Sequence, residues 1–356
     1  MKQIAAFFLL LSWTIPGSAQ LQVSTSLTPQ QLVEDVLLGE GVTVFNVTYN
    51  DVLNPLGDNP AIGSFAAENT ELDLNSGIVL ASGYVTNTPG PASGFMSDWL
   101  GINLASDPDL TTIAGVTIND KSVLEFDCTP VGDTLLIDYV FGSEEYPEWV
   151  CAFNDVFGFF LSGPGLLGPY SNGAVNIALV PGSNTPVGIN TVNNGLLNDP
   201  NSPGCAAQNP DYFLDNELGQ HVVFDGLTVG LTAFAVVQPG STYHFKIGIG
   251  DALDTAFDSG VFLGSSSFRS SGMISTGIPE TPPALGLEHH GDAVAILLPT
   301  GTQGELLLFG DTGQLIRSQR VDSDRVWLDL GGLPTGLYTV RVLDAQGLAP
   351  LRFVKG

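Results

Sequence analysis

The stretch YVFGSEEYPEWVCAFNDVFGFFLSGPG, residues 139–165, decides the predicted fold. Its two ends are apolar and strand-like, and its middle is polar. A second stretch, GIGDALDTAFDSGVFL at residues 248–263, has the same arrangement with several aspartates in the middle. We expect the two polar middles to be neighbours in the folded chain.

Most of the remaining sequence consists of short strand-like runs separated by turns. Thr28 to Gly39 is the exception: Thr28 as cap, Pro29 at the first position and Gln31 in the capping-box place predict a helix. Residues 83–112 and 181–216 are rich in Gly, Pro, Asn or Asp and indicate long loops. The spacing predicts a mainly β protein, an antiparallel, jelly-roll-like β-sandwich with one N-terminal helix.

Composition and charge divide the chain into segments. Residues 1–19 have a lysine near the start, a short apolar run and small residues at the end, as in a secretory signal peptide. From Gln20 to Phe268 there are 28 acidic and two basic residues, whereas nine acidic and seven basic residues follow. We therefore predict a β-sandwich domain at 20–269, a Pro-rich linker at 270–284 and a small C-terminal β-sandwich at 285–356.

The net charge of −27 limits the function classes. General nucleic-acid binding is excluded, because it needs a basic footprint. Docking on an anionic membrane is disfavoured, and the sequence predicts no transmembrane segment in the mature chain. The charge fits a cation-binding protein, although a solvated surface alone would explain most of it.

The two acidic segments predict a calcium site. Calcium takes six to eight oxygen ligands from carboxylates, amides and backbone carbonyls. Clustered carboxylates with few basic residues nearby would repel one another unless a cation neutralised them. The alternative is that these side chains cap turns and face water. The candidate ligands are Glu144, Glu145, Asn154, Asp155, Asp251, Asp254 and Asp258.

Other chemistry has weaker support in the sequence. Glu144 and Glu145 are adjacent, so on a strand they point to opposite faces and cannot form a facing glycosidase pair. Asp107 and Asp109 fit a solvated turn better than a ligand set, and His244 fits a sheet face better than a catalytic base. Loop aromatics could stack on sugars or pack internally: Tyr146, Trp149, Trp99 and Tyr170.

The three cysteines leave one pairing open. Cys151 and Cys205 lie in loop-like surroundings and could pair in an oxidising compartment, or all three thiols could be free. Cys128 lies in a strand pattern and is predicted to be buried.

Two family resemblances follow from these segments. LTPQQLVEDVLLGEGVTVFNVTYN, GIVLASG, residues 139–165, GPYSNGAVNIALVPGSNTPV and DTAFDSGVFL resemble the choice-of-anchor L domain of exported Bacteroidetes proteins. LFGDTGQLIRSQRV, LDLGGLPTGLYTVRV and LRFVKG resemble the type A sorting domain of the type IX secretion system, although the usual Tyr-Pro-Asn-Pro opening is absent. This resemblance implies that the secretion machinery is a partner and that the protein is secreted or attached to the outer cell surface.

Three functions remain open at this point. The first is a non-enzymatic, calcium-stabilised surface protein that acts in adhesion or in glycan or surface binding. The second is a secreted hydrolase acting on polysaccharide or protein. The third is a structural component of a surface layer or filament.

Overall fold

The structure is a computed structural model that describes residues 21–53, 59–92, 106–195, 205–272, 285–291, 293–310, 314–321, 323–343 and 350–355. The predicted signal peptide, most of the predicted linker and Trp99 lie outside the described residues. In the described part of the chain, no helix is both long and apolar enough to cross a membrane.

Strands dominate the described residues. In chain order they are β1 (Gln22–Ser24), β2 (Val42–Tyr49), β3 (Val52–Leu53), β4 (Ile62–Ala66), β5 (Ser76–Ala81), β6 (Ile118–Pro130), β7 (Thr134–Ser143), β8 (Val156–Ser162), β9 (Val175–Asn176), β10 (Phe213–Asp215), β11 (Gly226–Thr228), β12 (Leu231–Val236), β13 (Tyr243–Ala252), β14 (Ser259–Gly264), β15 (Arg269–Ser271), β16 (Gly286–His290), β17 (Ala293–Leu297), β18 (Gly304–Phe309), β19 (Leu315–Val321), β20 (Arg325–Asp329), β21 (Gly336–Leu343) and β22 (Leu351–Lys355). The helical segments are α1 (Pro29–Gln31), a π-helical continuation at Leu32–Leu37, α2 (Pro108–Ala114), and 3-10 turns at Val85–Asn87, Ser171–Gly173 and Pro210–Tyr212.

The first domain is a jelly roll. The first sheet has the order β1-β4-β5-β14-β7-β11-β10, with β12 and β15 also paired to β7. The second sheet has the order β3-β2-β6-β13-β8-β9. The four-strand sets β5-β14-β7-β12 and β6-β13-β8-β9 are antiparallel throughout and follow the two-sheet order of that fold. The predicted jelly-roll-like sandwich is therefore confirmed.

Aromatic side chains join the two sheets. Tyr139 and Phe141 of β7 point into the interior and meet β8, with ring centroids 5.0 Å apart for Tyr139 and Phe159 and 4.8 Å apart for Phe141 and Phe157. All four side chains are buried. Aromatic pairs at these distances add about 0.5–1.5 kcal/mol each beyond the burial of their area. The quoted stretch at 139–165 thus supplies the centre of the core from both sheets.

The N-terminal helix begins as predicted. The Thr28 hydroxyl accepts a hydrogen bond from the Gln31 backbone N–H, and Gln31 Oε1 accepts one from the Thr28 backbone N–H, which completes the capping box. From Leu32 onward the turns widen to a π-helix, which closes with a bond from the Leu38 N–H to the Val33 carbonyl.

A second helix, α2, corrects the prediction of one N-terminal helix and of an uninterrupted loop at 83–112. Asp107 caps it by accepting bonds from two backbone N–H groups, Pro108 occupies its first turn, and Gly115 ends it at φ 73°. Seven residues are too few to show a helical period, so only the Asp-Pro start signal was visible in the sequence.

Two paired glycines make room for α2 on the outer face of the second sheet. Gly158 and Gly248 are partners in the β8–β13 ladder. A Cβ atom at Gly158 would lie 3.0 Å from Ile113, and one at Gly248 would lie 3.3 Å from Leu110. The helix can therefore pack directly onto this sheet face, above β8 and β13.

The C-terminal residues form their own sandwich. Sheet β16-β17-β20 and sheet β19-β18-β21-β22 enclose a separate core that runs from Leu285 to Phe353. This module touches the jelly roll through an ion pair between Arg341 and Asp133 and a ring contact between Phe309 and Phe234.

Candidate metal centre

Strand register brings the two acidic segments to one end of the jelly roll. β7 pairs with β14 so that Ser143 lies opposite Ser259, and β8 pairs with β13 so that Val156 lies opposite Gly250. The chain leaves β7 and enters β8 across this end, and it leaves β13 and enters β14 across the same end. The expectation that the two polar middles are spatial neighbours is therefore correct.

Five carboxylates at this end are buried. Their residues expose at most 1% of their surface: Glu144, Glu145, Asp155, Asp251 and Asp258. A buried carboxylate is costly unless it is hydrogen-bonded, paired with a cation or protonated. In the described part of the chain, no Lys, Arg or His forms an ion pair with Glu145, Asp155 or Asp251.

Asp155 is the best-satisfied member of this group. Its Oδ1 accepts the Ala252 N–H at 2.9 Å, and its Oδ2 accepts the Ser259 hydroxyl at 2.8 Å. Burial nevertheless raises its pKa to about 7, and the negative charge of Asp254 adds to that rise. Asp155 thus holds the ends of β13 and β14 together as well as carrying charge.

Asp251 has fewer good hydrogen bonds than Asp155. Neither carboxylate oxygen receives a hydrogen bond of good geometry in the described structure, and the side chain is fully buried. Its polar neighbours are the Ser82 hydroxyl and the carboxylates of Asp155 and Asp258. Burial and these two negative charges raise its pKa well above the ordinary value. Carboxylates in such contact need a shared proton or a cation between them.

Glu145 extends the same group. Burial, followed by the negative charges of Asp155 and Asp254, raises its pKa to about 10. Its Oε2 atom is buried without a hydrogen-bond partner in the described structure. The backbone N–H of Glu145 donates to the Ser143 hydroxyl at 2.9 Å, which fixes the chain where it leaves β7.

The other predicted ligands occupy different positions. The Glu144 N–H donates to the Asp258 carbonyl at 3.1 Å, so these two residues join the two connections. Asp254 is exposed at the rim, where its charge reaches Glu145 and Asp155. Asn154 is half-buried, and its Oδ1 accepts the Asn190 N–H, so its side chain is engaged by a neighbouring loop.

Sequence reasoning missed other polar groups at this end. Asp120 influences Asp251 from the neighbouring strand β6, and Ser82 hydrogen-bonds the backbone of Ser259. The Ser259 hydroxyl also donates to Ser143. Asp120 comes close because a bulge interrupts the β6–β13 register between Ile249 and Asp251. Isolated serines and a bulge give no sequence signal for such a contact.

The donor set is oxygen-rich, which is the chemistry that calcium prefers. Among the residues that the structure describes, no three His, Cys, Asp or Glu side chains are already arranged to hold a metal ion. The buried Asp251 and Glu145 oxygens are the atoms whose chemistry a cation would satisfy.

Three further contacts fix the loops that carry these residues. A disulfide joins Cys151 to Cys205, and Cys128 is a buried free thiol. The Trp149 ring contacts Phe257 with centroids 5.7 Å apart, which links the first acidic connection to the second. The Tyr146 hydroxyl donates to the Val192 carbonyl inside the protein, so this aromatic packs internally.

The prediction that Asp107 and Asp109 lie in a solvated turn is wrong. Both are buried and bind Lys246, whose Nζ lies 2.5 Å from Asp107 Oδ2 and 2.8 Å from Asp109 Oδ2. His244 lies on the outer sheet face, as expected, where its ring nitrogens contact Asp127 and Glu125 at 2.9 Å each.

The chain was compared with solved structures and with curated proteins. A Ruminococcus gnavus β-glucuronidase is 10% identical with a TM-score of 0.16, covering 66% of this chain and 34% of that one. A β-glucuronidase of an uncultured Clostridium species is 9% identical with a TM-score of 0.16, covering 70% and 37%. The chain thus spans about a third of the length of each enzyme. The TM-scores are too low to indicate a shared fold or function. No curated protein matches the chain.

A comparison with family models identifies the first domain. The model of the choice-of-anchor L domain matches residues 21–269, which is the jelly roll described above. The chain therefore belongs to the choice-of-anchor L domain family, and this membership indicates a surface-associated or secreted protein.

Proposed function

We propose that this chain is a non-enzymatic surface module whose jelly roll is stabilised by calcium and which acts in adhesion or in glycan or surface binding. The observation that carries the calcium part is the fully buried Asp251 carboxylate, which receives no hydrogen bond of good geometry from the residues that the structure describes and which contacts Asp155. A divalent cation would replace the proton that these two groups otherwise have to share.

The ion would draw on the buried carboxylates together with other oxygens. Asp155, Asp251, Asp258 and Glu145 would supply most of the charge, and Asp254 could approach from the rim. Calcium also accepts backbone carbonyls, hydroxyls and water. Such ligands, with modest side-chain rotation, would complete a coordination shell that the carboxylates do not form by themselves. The ion would supply charge neutralisation and would lock together both connections between the sheets.

Burial argues for a structural role over hydrolysis. A polymer substrate has to reach its catalytic carboxylates, whereas the five at this end are at most 1% exposed. Binding would instead use the surface of the connections that the ion orders. Trp149 is half-buried there and offers an aromatic edge.

The calcium proposal is tested by thermal unfolding of the purified chain with calcium and with chelator. At a calcium concentration of about 100 times the dissociation constant, the folded state gains about 2.7 kcal/mol, which raises Tm by about 5–10 °C. Asp251→Asn keeps the shape and removes the charge, so it should abolish the rise. Asp211→Asn, at an exposed position, is the matched control and should keep it. An unchanged wild-type Tm would overturn the proposal.

The binding part needs a separate measurement. A glycan array and a cell-adhesion assay with the calcium-loaded chain should show retention that chelator and Trp149→Ala reduce. Blank arrays and no adhesion would remove this part, while turnover of a polysaccharide or protein substrate would favour the hydrolase alternative. Calcium-induced self-assembly without ligand retention would favour a structural surface layer.

We also propose that the C-terminal sandwich acts as a type IX sorting domain. Its separate core and its resemblance to such domains support this role. Deleting residues 285–356 in a host with that secretion system should leave the protein inside the cell envelope. The same deletion in a host without the system is the control, and export of the truncated chain in the first host would contradict the proposal.

A further inference from the structure

Lys246 and two aspartates form a buried group on the outer face of the second sheet. Lys246 Nζ donates to Asp107 Oδ2 at 2.5 Å and to Asp109 Oδ2 at 2.8 Å. The side-chain exposures are 10% for the lysine, 6% for Asp107 and 3% for Asp109. The Lys246 amine and the carboxylates of Asp107 and Asp109 are therefore in hydrogen-bond contact and shielded from water.

Apolar groups enclose these three side chains. Nζ lies 5.5 Å from the centroid of the Phe160 ring, and Tyr170 packs on Phe160 at 4.8 Å. Leu110 of α2 is fully buried beside them. A low-dielectric setting makes charges costly and favours their conversion into neutral groups.

The Asp107 carboxyl group is held as an acyl acceptor. Its Oδ1 accepts the backbone N–H groups of Asp109 and Leu110 at 2.9 and 3.0 Å. Two N–H groups aimed at one carboxyl oxygen are the arrangement that stabilises negative charge in a tetrahedral intermediate. The other oxygen, Oδ2, faces the amine. Nucleophile, acceptor and proton carrier are thus in place.

We propose that Lys246 and Asp107 form an intramolecular amide, an isopeptide bond, with Asp109 as the proton carrier. Such a bond would tie strand β13 covalently to helix α2. The inference is independent of the calcium proposal, because it concerns a different face of the jelly roll.

The reaction balances without a co-reactant. Lys246 passes a proton from Nζ to Asp109 Oδ2, and the neutral amine attacks Asp107 Cγ. The N–C bond forms, and the two backbone N–H groups stabilise Oδ1. Asp109 returns its proton to Oδ2 of Asp107. This oxygen takes a second proton from the nitrogen, the Asp107 Cγ–Oδ2 bond breaks, and the oxygen leaves as water. One ammonium and one carboxylate become one amide and one water molecule.

The product keeps the local structure. Oδ1 becomes the amide oxygen and still accepts the two helix N–H groups, so α2 stays capped. The new amide N–H faces Asp109 Oδ2, whose other oxygen keeps the Ser171 N–H at 2.7 Å. The ion pair holds the pKa of Lys246 above its ordinary value against the opposing effect of burial. The pKa of Asp109 is lowered, so transfer of the proton from Lys246 to Asp109 is energetically uphill and limits the rate of the reaction.

Mass spectrometry of the reduced, denatured full chain tests this inference. Nearly all wild-type molecules should be lighter than expected by one water, about 18 Da. Proteolysis should yield one branched peptide that contains both Asp107 and Lys246. A wild-type mass without water loss, with separate peptides for the two residues, would overturn the inference.

Two variants check the chemistry. Lys246→Arg keeps the charge but should lack the water loss. Any processing of the N-terminus is shared by the variant and the wild type, so comparing their two masses removes its contribution. Asp109→Asn should reduce the cross-linked fraction at least tenfold, since its amide cannot carry the proton. If Lys246→Arg shows the same water loss, the loss comes from a reaction that does not involve Lys246, and the proposed bond is refuted. If either variant fails to fold, the wild-type peptide map decides alone.

Discussion

Two groups of buried carboxylates in one jelly roll differ in how their charge is balanced. On the outer sheet face, Asp107 and Asp109 share the lysine at 246. At the end of the sandwich, Asp155, Asp251 and Glu145 form no ion pair with a basic side chain in the described structure. Burial is similar in the two places, so burial alone does not determine the pKa values of these carboxylates.

The pKa values show what the partner changes. Burial pushes the pKa of Asp109 upward, but hydrogen bonds from Lys246 and the Ser171 backbone outweigh it and leave this pKa lowered. At the sandwich end, burial and neighbouring negative charge act in the same direction, and the pKa of Glu145 rises to about 10. The first group carries its cation within the sequence, and the second requires a proton or an ion from solution.

The largest expected effect comes from removing that internal cation. Lys246→Met leaves two buried carboxylates unpaired and should destabilise the chain by about 3–5 kcal/mol in denaturant unfolding. If the proposed amide is present, its loss adds to this effect. Lys121→Met is the control, because its partner Asp51 is 76% exposed and such a pair contributes less than about 1 kcal/mol. Equal losses in both variants would remove the distinction between the two groups.

The next effect concerns the pH dependence of calcium stabilisation. Calcium competes with protons for carboxylates whose pKa values are raised, so binding has to release protons. The gain in Tm on adding calcium should be much larger at about pH 8 than at about pH 5, where Asp155, with its pKa of about 7, is protonated. A calcium effect independent of pH would place the ion elsewhere.

A smaller effect is expected in chelator. The unfolded chain ionises its aspartates above about pH 4. The folded state holds Asp155 protonated until about pH 7 and Asp251 beyond its ordinary range. The free energy of unfolding without calcium should therefore fall as pH rises from about 4 to 7, because the unfolded state ionises first.

Asp251→Asn should reduce that slope and stabilise the chelated chain by about 1–2 kcal/mol near pH 8, since one pKa unit corresponds to about 1.4 kcal/mol. Chemical denaturation at several pH values measures it, and Asp211→Asn is again the control. A steeper slope in the variant would contradict the assignment of the repulsion to Asp251.

The smallest expected effect concerns His244, which is paired with two carboxylates at the surface. Hydrogen bonds from His244 to Glu125, and then to Asp127, raise the pKa of the imidazole against the opposing effect of burial. The stabilisation is present below the unfolded value of about 6.5 and is lost as pH rises through the folded value. Because the ring is 38% exposed, the contribution should stay below about 1 kcal/mol. An NMR titration should show the raised pKa and its return toward the ordinary value in Glu125→Gln.

The fold was largely predictable because its signals are local. Alternating and apolar runs such as residues 156–161 identify strands, and the capping box at Thr28 identifies the first helix. Helix α2 was missed because it is short, and Lys246 gave no hint that it binds two aspartates about 140 residues away. The disulfide between Cys151 and Cys205 was one of two open alternatives.

The sequence by itself determined the class of fold, the excess of acidic residues and the identity of the two acidic connections. Tertiary structure decided which carboxylates lose water, which meet a cation and which meet one another. The physical reason is that strand register and sheet packing are long-range properties. A bulge at β13 and a pair of glycines under α2 set the contacts of Asp251 and Asp107, and neither contact is encoded in the residues adjacent to them.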